Sequence, residues 1–212
     1  MIRPATDFRR GDAERFMGEL FGVMDEPRIQ VTYRIPGAGN DQWRSKSATS
    51  VEGALDIAAL CGGQYDTYIR CATLREDPGS PTVRGDASFS HEFAALWVDL
   101  DVAGPTRGNT RDLPPDSKVA EEIISRVSPG HPPSFVVDSG YGRHAWWLLS
   151  EPHTAEEFAP TLARWRRHVA AVAKPYKADT SVYSLDQMLR LPGSLNFKGG
   201  QPVPVRIIAG VA

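Results

Sequence analysis

The 212 residues are 41% hydrophobic, 24% charged and 9% aromatic, with 19 Gly and 17 Pro; this excludes a disordered or fibrous chain and points to a globular core with many turns. No run of 18 apolar residues occurs, and the N-terminus, carrying Arg3, Asp7, Arg9 and Arg10, has no apolar signal core, so a cytoplasmic protein is expected, neither secreted nor membrane-spanning. The formal net charge of −2 argues against a grip on nucleic acid through overall charge, yet residues 1–163 sum to −8 and residues 164–212 to +6.

Length predicts one large domain or two small ones. Asp12 is placed to cap a helix whose Phe16, Met17, Leu20 and Phe21 recur at helical spacing up to Gly22. A strand over 29–35 follows, then a turn-rich loop over 36–40. Thr49-x-x-Glu52 reads as a capping box for a second helix, stopped by Gly62-Gly63. Cys61 and Cys71 lack metal-type spacing and read as buried thiols, with no structural zinc. Residues 65–74 read as a strand, 75–90 as a polar loop, and 94–101 as a buried strand ending in two carboxylates. Beyond a long polar loop, Val119, Ile123, Ile124 and Val127 share one helix face, and 134–138 with 144–149 form a hairpin. Thr154-x-x-Glu157 caps a helix running to about Ala173. The remainder reads as irregular up to a last strand over 203–208. Irregular interleaving of helices and hairpins predicts an α+β domain with a mixed, largely antiparallel sheet. Neither a P-loop nor a dinucleotide fingerprint is present, which weakens a kinase, ATPase or dehydrogenase reading.

Three segments carry chemistry. In Trp97-Val98-Asp99-Leu100-Asp101, strand alternation puts both aspartates on one face, where a divalent cation offsets their repulsion. The bland alternative is a solvated strand end. In Asp138-Ser139-Gly140-Tyr141-Gly142-Arg143-His144, two glycines allow a sharp turn, and Ser139, Gly140, Arg143 and His144 supply donors for phosphate oxygens. An ordinary glycine hairpin is the alternative there. His144 is also a candidate general acid or base. Finally, Asp179, Asp186 and the run Arg190-Leu191-Pro192-Gly193-Ser194-Leu195-Asn196-Phe197-Lys198 offer a third carboxylate and, in Arg190, Asn196 and Lys198, groups for phosphate or base. Upstream, Arg164, Arg166, Arg167, Lys174 and Lys177 lie on one predicted helix and its exit, either a solvated face or a nucleic-acid contact. Tyr141, Trp146 and Trp147 are candidates for stacking on a base or for the core.

In this order, D-x-D, S-G-x-G-x-H, an aspartate and R-L-P-G-x-x-N-x-K, the sequence resembles the archaeo-eukaryotic primase superfamily, and most of all the primase-polymerase domains of phage and plasmid replication proteins. The resemblance implies one catalytic domain over 1–212, with an N-terminal α/β part (1–90) and a part like an RNA-recognition motif (91–212) that carries the three motifs between flanking helices. It implies DNA primase and polymerase activity, two Mg²⁺ or Mn²⁺ ions held by Asp99, Asp101 and a third acid, and Ser139 and His144 at the nucleotide triphosphate. Asp179 is favoured as the third acid for its distance upstream of the R-L-P-G segment; Asp186 is the alternative. Gln187 departs from the basic residue common three positions before Arg190. Implied partners are single-stranded DNA template and primer, NTP or dNTP, and a helicase domain in the same chain or in trans, in a bacterial host cytoplasm. The resemblance leaves open that the chain is a fragment of a longer replication protein. The rivals are a D-x-D glycosyltransferase and a non-catalytic DNA-binding replication initiator.

Overall fold

The structure, a computed structural model, describes residues 8–35, 43–104 and 111–210. The predicted loop over 36–40 lies outside these residues, as do 105–110 of the long polar loop. Among the described residues, four α-helices and ten strands form an α+β fold with two sheets.

Helix α1 (Arg10–Phe21) buries Ala13, Phe16, Met17, Leu20 and Phe21 and stops at Gly22. It begins two residues before Asp12: Arg9 is the N-cap, without a side-chain cap, and Asp12 sits in the first turn, where it favours the helix dipole. Strand β1 (Ile29–Arg34) pairs antiparallel with β2 (Trp43–Ala48) and β3 (Asp66–Arg70). The sequence reading missed β2, whose polar residues lie at the edge of the first sheet. Helix α2 (Val51–Cys61) is capped by Ser50, which accepts from the Gly53 amide at 3.1 Å, so the capping box read from Thr49 is shifted by one residue. With Ser50 as the cap, Glu52 cannot close a box; it pairs instead with Arg10 and ties α2 to α1.

The second sheet is antiparallel throughout, in the order β10-β5-β6-β4, with β4 (Glu92–Asp101), β5 (Phe135–Asp138), β6 (Gly142–Thr154) and β10 (Arg206–Gly210). Helix α3 (Ser117–Val127) connects β4 to β5. Helix α4 (Ala155–Val172) follows β6 directly, and both bonds of its Thr154–Glu157 capping box are present.

The segment after α4 is less irregular than its sequence suggests. β7 (Met188–Arg190) pairs antiparallel with β3, β8 (Leu195–Asn196) pairs parallel with β3, and β9 (Val203–Pro204) pairs with β8. The expected single strand over 203–208 is therefore two, β9 in the first sheet and β10 in the second. This crossing carries β7, β8 and β9 onto the sheet founded by β1 and β3.

The main core joins both sheets to α1 and α2: Ile29, Val31 and Ile69 from the first sheet, Phe93, Trp97, Phe135 and Trp146 from the second. Phe16 packs 5.4 Å from Phe135 and 5.1 Å from Trp146, ring to ring. Each such fully buried aromatic contributes about 1.5–3 kcal/mol of burial. A second cluster lies behind the second sheet, where Val98, Leu100, Ala145 and Trp147 meet α3 and α4.

Candidate functional site

Alternation along β4 decides which side chains reach the site. Trp97 belongs to the core between the sheets, Val98 and Leu100 to the cluster behind, so Asp99 and Asp101 emerge on the same face as Trp97 just beyond the end of that core. There a cavity of about 300 Å³ opens. It is lined by Asp99, Asp101, Ser139, His144, Asp179, Arg190, Asn196 and Lys198, together with Tyr68, Tyr141, Ser181, Val182 and residues 187–189. Segments spread over 130 residues of sequence thus meet in one polar cavity.

Asp99 is the register partner of His144 on β6, and the imidazole Nε2 lies 3.6 Å from the Asp99 Oδ1. Burial, with the positive charge of Arg190 second, pushes His144 down to about 3, so the ring is neutral at physiological pH. Its Nδ1 is buried without a hydrogen-bond partner. The negative field of the acids reaches their neighbours: Tyr183 is raised by burial and then by Asp99 and Asp179, and Tyr68 by burial with Asp99 among the further causes. Asp179 is exposed and accepts from both the amide and the hydroxyl of Ser181, 2.8 and 2.6 Å away, which fixes its carboxylate at the cavity edge.

The glycine turn is built differently from a cradle of free amides. Gly140, at φ +92°, donates its N–H to Asp138 at 2.8 Å, and the Ser139 N–H is bonded to the Gly142 carbonyl. A Cβ at Gly140 would stand 2.4 Å from Val203 Cγ2, so the turn is pressed against β9. Asn196, 2% exposed, clamps this turn: its Nδ2 donates to the Ser139 carbonyl and its Oδ1 accepts from the Lys198 amide. Arg190 forms an ion pair with Asp66 and lies 4.8 Å over the Tyr68 ring.

Several expected site residues lie elsewhere. Arg143 alternates with His144 and faces the other side of the sheet, pairing with Glu121 at 2.8 Å and Asp138 at 2.9 Å. Asp186 pairs with Arg84 at 3.3 Å and does not line the cavity, whereas Asp179 does. None of the five basic residues on and after α4 lines it either: Arg164 donates to Thr161, Lys177 pairs with Asp112, Lys174 is exposed, and Arg166 and Arg167 border a separate depression beside Tyr183 and Leu185. Trp146 and Trp147 belong to the two cores, whereas Tyr141 reaches the cavity. Tyr68 and Asp66 were missed: each acquires its role through Arg190, more than 120 residues away, and no local motif marks either.

The donor set fits a divalent cation: two hard carboxylates from one rigid strand, with room in the cavity for phosphate oxygens to complete the shell. Among the described residues no group of three or more His, Cys, Asp and Glu is arranged as a finished metal site. Asp179 therefore borders the pair without completing a triad.

The fold is similar to that of archaeo-eukaryotic primase domains in solved structures. The structure is similar to the archaeo-eukaryotic primase domain of the cyanophage S-2L primase-polymerase, with a TM-score of 0.64 at 15% identity over 97% of this chain and 92% of that one. It is also similar to primase RepB′, with a TM-score of 0.55 at 16% identity over 93% of this chain and 56% of that one. The catalytic domain of RepB′ in complex with initiator DNA gives 0.54 at 18% identity, over 94% and 85%. No protein-family model and no curated protein sequence matches the chain. Among the described residues no helix is long and apolar enough to cross a membrane.

Proposed function

We propose that the chain is a metal-dependent nucleotidyltransferase that makes or extends DNA primers, as in phage or plasmid replication, in the cytoplasm of a bacterial host. The observation that carries this reading is the shared cavity: Asp99, Asp101 and Asp179 line the same space as Ser139, His144, Arg190 and Lys198. The fold, similar to that of a primase solved with initiator DNA, supports DNA as template and primer, with NTP or dNTP as the second substrate.

Asp99 and Asp101, with Asp179 at the cavity edge, are the residues that would hold Mg²⁺ or Mn²⁺. Bound there, the metal would supply charge stabilisation for phosphoryl transfer. The protein's own part is positioning. Arg190 is held by Asp66 and Tyr68, and it presents positive charge to the triphosphate without a flexible search. The Ser139 hydroxyl lines the cavity and is a donor for phosphate oxygen. Neutral His144 can donate one N–H to phosphate without placing a cation beside the metal ligands. Arg143 and Asp186 have structural roles.

The test is extension of a labelled primer on single-stranded template with Mn²⁺ or Mg²⁺, comparing the intact chain with Asp99→Ala/Asp101→Ala. Extension that disappears in the double variant supports the reading. DNA binding without extension, unaffected by metal, would turn the chain into an initiator-type binding module. Hydrolysis of a nucleotide sugar would favour the glycosyltransferase instead. Extension dependent on a helicase supplied in trans would identify the expected partner.

A further inference from the structure

The first sheet has two faces. Val31 and Ile69, register partners on β1 and β3, point into the core; Thr32 and Tyr68, the next pair, point away from it. On that second face, four side chains form a continuous row. The Arg34 guanidinium lies 5.8 Å from the Trp43 ring centre, the Trp43 and Tyr68 rings are 5.2 Å apart, and Arg190 lies 4.8 Å over Tyr68. The order is cation, ring, ring, cation. None of the four is fully buried, although the Arg190 side chain is only 13% exposed; Trp97 and Trp146, by contrast, are enclosed by the core.

The row has a direction. Tyr68 and Arg190 line the cavity that holds Asp99, Asp101 and Asp179; Trp43 and Arg34 continue outward from it across β1 and β2. A stripe of arginines alternating with π-faces suits a polymer that presents flat bases on a phosphate backbone. Bases stack on rings whatever their identity, and the guanidinium groups meet the phosphates. A duplex keeps its base faces stacked internally, so the fitting occupant is a single strand. We infer that Arg34, Trp43 and Tyr68 form the seat of the single-stranded template as it enters the catalytic cavity, with Trp43 as the base-stacking platform. This places strand binding on the first sheet, away from the basic helix α4, and it rests on the polymerase reading for its template role.

The experiment measures binding of a labelled oligothymidylate of about 12 nucleotides by fluorescence anisotropy in EDTA, with primer extension run in parallel. Trp43→Ala is expected to weaken binding between about 5- and 150-fold, the usual range for loss of one stacked base, with Trp43→Phe recovering most of it. Arg34→Gln is expected to weaken binding and to reduce the salt slope by about one. Arg166→Ala/Arg167→Ala should bind as the intact chain does. Unchanged affinity and salt slope in Arg34→Gln together with unchanged affinity in Trp43→Ala overturns the inference, as does loss of binding confined to the α4 variant. If Trp43→Ala does not fold, Arg34→Gln carries the comparison through its affinity and salt slope, and no change in either overturns the inference. Trp43-dependent binding by a chain that extends no primer would uphold the strand-binding surface and defeat the polymerase reading. Extension that survives with Trp43→Ala at intact-chain affinity would do the reverse.

Discussion

Asp99 and His144 face each other across β4 and β6 as register partners, with Nε2 of the ring 3.6 Å from Oδ1 of the carboxylate, and the ring is neutral. The aspartate charge is therefore not cancelled by an imidazolium and stays directed at the cavity it shares with Asp101 and Asp179. Carboxylates that share one cavity repel one another, and a bound metal offsets that repulsion. Asp99→Asn should lower primer extension at least about 100-fold, in line with the loss of one charge-stabilising group at a reacting centre. Its thermal midpoint should equal or exceed that of the intact chain. Adding Mn²⁺ should raise the midpoint of the intact chain and leave Asp99→Asn/Asp101→Asn unmoved. A metal-induced rise of equal size in both proteins would place the ion elsewhere.

Gly140 shows how the Ser139 side of the cavity is kept in shape. Its φ of +92° is strained for any residue with a Cβ, and that Cβ would strike Val203. Gly140→Ala should cost about 1–2 kcal/mol from the backbone alone, more with the clash. Because Asn196 bonds the neighbouring Ser139 carbonyl, the displaced turn should also raise KM for the nucleotide. Urea denaturation and nucleotide titration measure the two effects, and Gly140→Ala/Val203→Ala should recover part of the stability. A double variant no more stable than Gly140→Ala would show that Val203 is not the obstacle.

Local signals were legible in the sequence and paired ones were not. The Thr154 cap could be read because both of its bonds lie within four residues. The acids of β4 could be read because alternation holds within a single strand. The same alternation, applied to Arg143 and His144, already forbids both from facing the cavity, and the structure sends Arg143 to Glu121. β7 and β8 escaped because two or three residues make no periodic pattern; each is a strand only because β3 lies beside it. Tyr68 and Asp66 escaped for the same reason, since Arg190 reaches them only after the chain has crossed between sheets.

A buried arginine holds the wall of the cavity from behind. Arg70, fully enclosed, donates to the side-chain oxygens of Gln30 and Ser90 and to the carbonyls of Arg84, Gly85 and Asp86. Ser90 passes the link on to the Leu185 carbonyl, next to the segment that lines the site. No carboxylate is among those acceptors, and burial lowers the arginine's pKa. Arg70→Met leaves the acceptors unpaired and should cost about 3–5 kcal/mol in urea denaturation. Arg70→Lys should recover only part of this, because one ammonium cannot span acceptors arranged for a planar fork. A loss below about 1 kcal/mol for Arg70→Met would mean that water satisfies the carbonyls.

Cys61 closes α2 against the core, 3% exposed, and burial pushes its thiol up to about 11; Cys71, also buried, is raised well above the usual thiol value. The thiolate is the reactive form. At pH 8 the native chain should react with iodoacetamide at least about 100-fold more slowly than the chain unfolded in urea. The same shift sets a pH dependence. A thiol with a higher pKa in the folded state than in the unfolded state favours folding while it is protonated, so its contribution is complete below about pH 9. It is lost at about 1.4 kcal/mol per pH unit as the pH rises from about 9 toward about 11. Urea midpoints of the intact chain and Cys61→Ala at pH 8 and pH 10 isolate that share: the variant should lose less stability between the two. Equal losses would show that the Cys61 thiol ionises as readily in the fold as out of it.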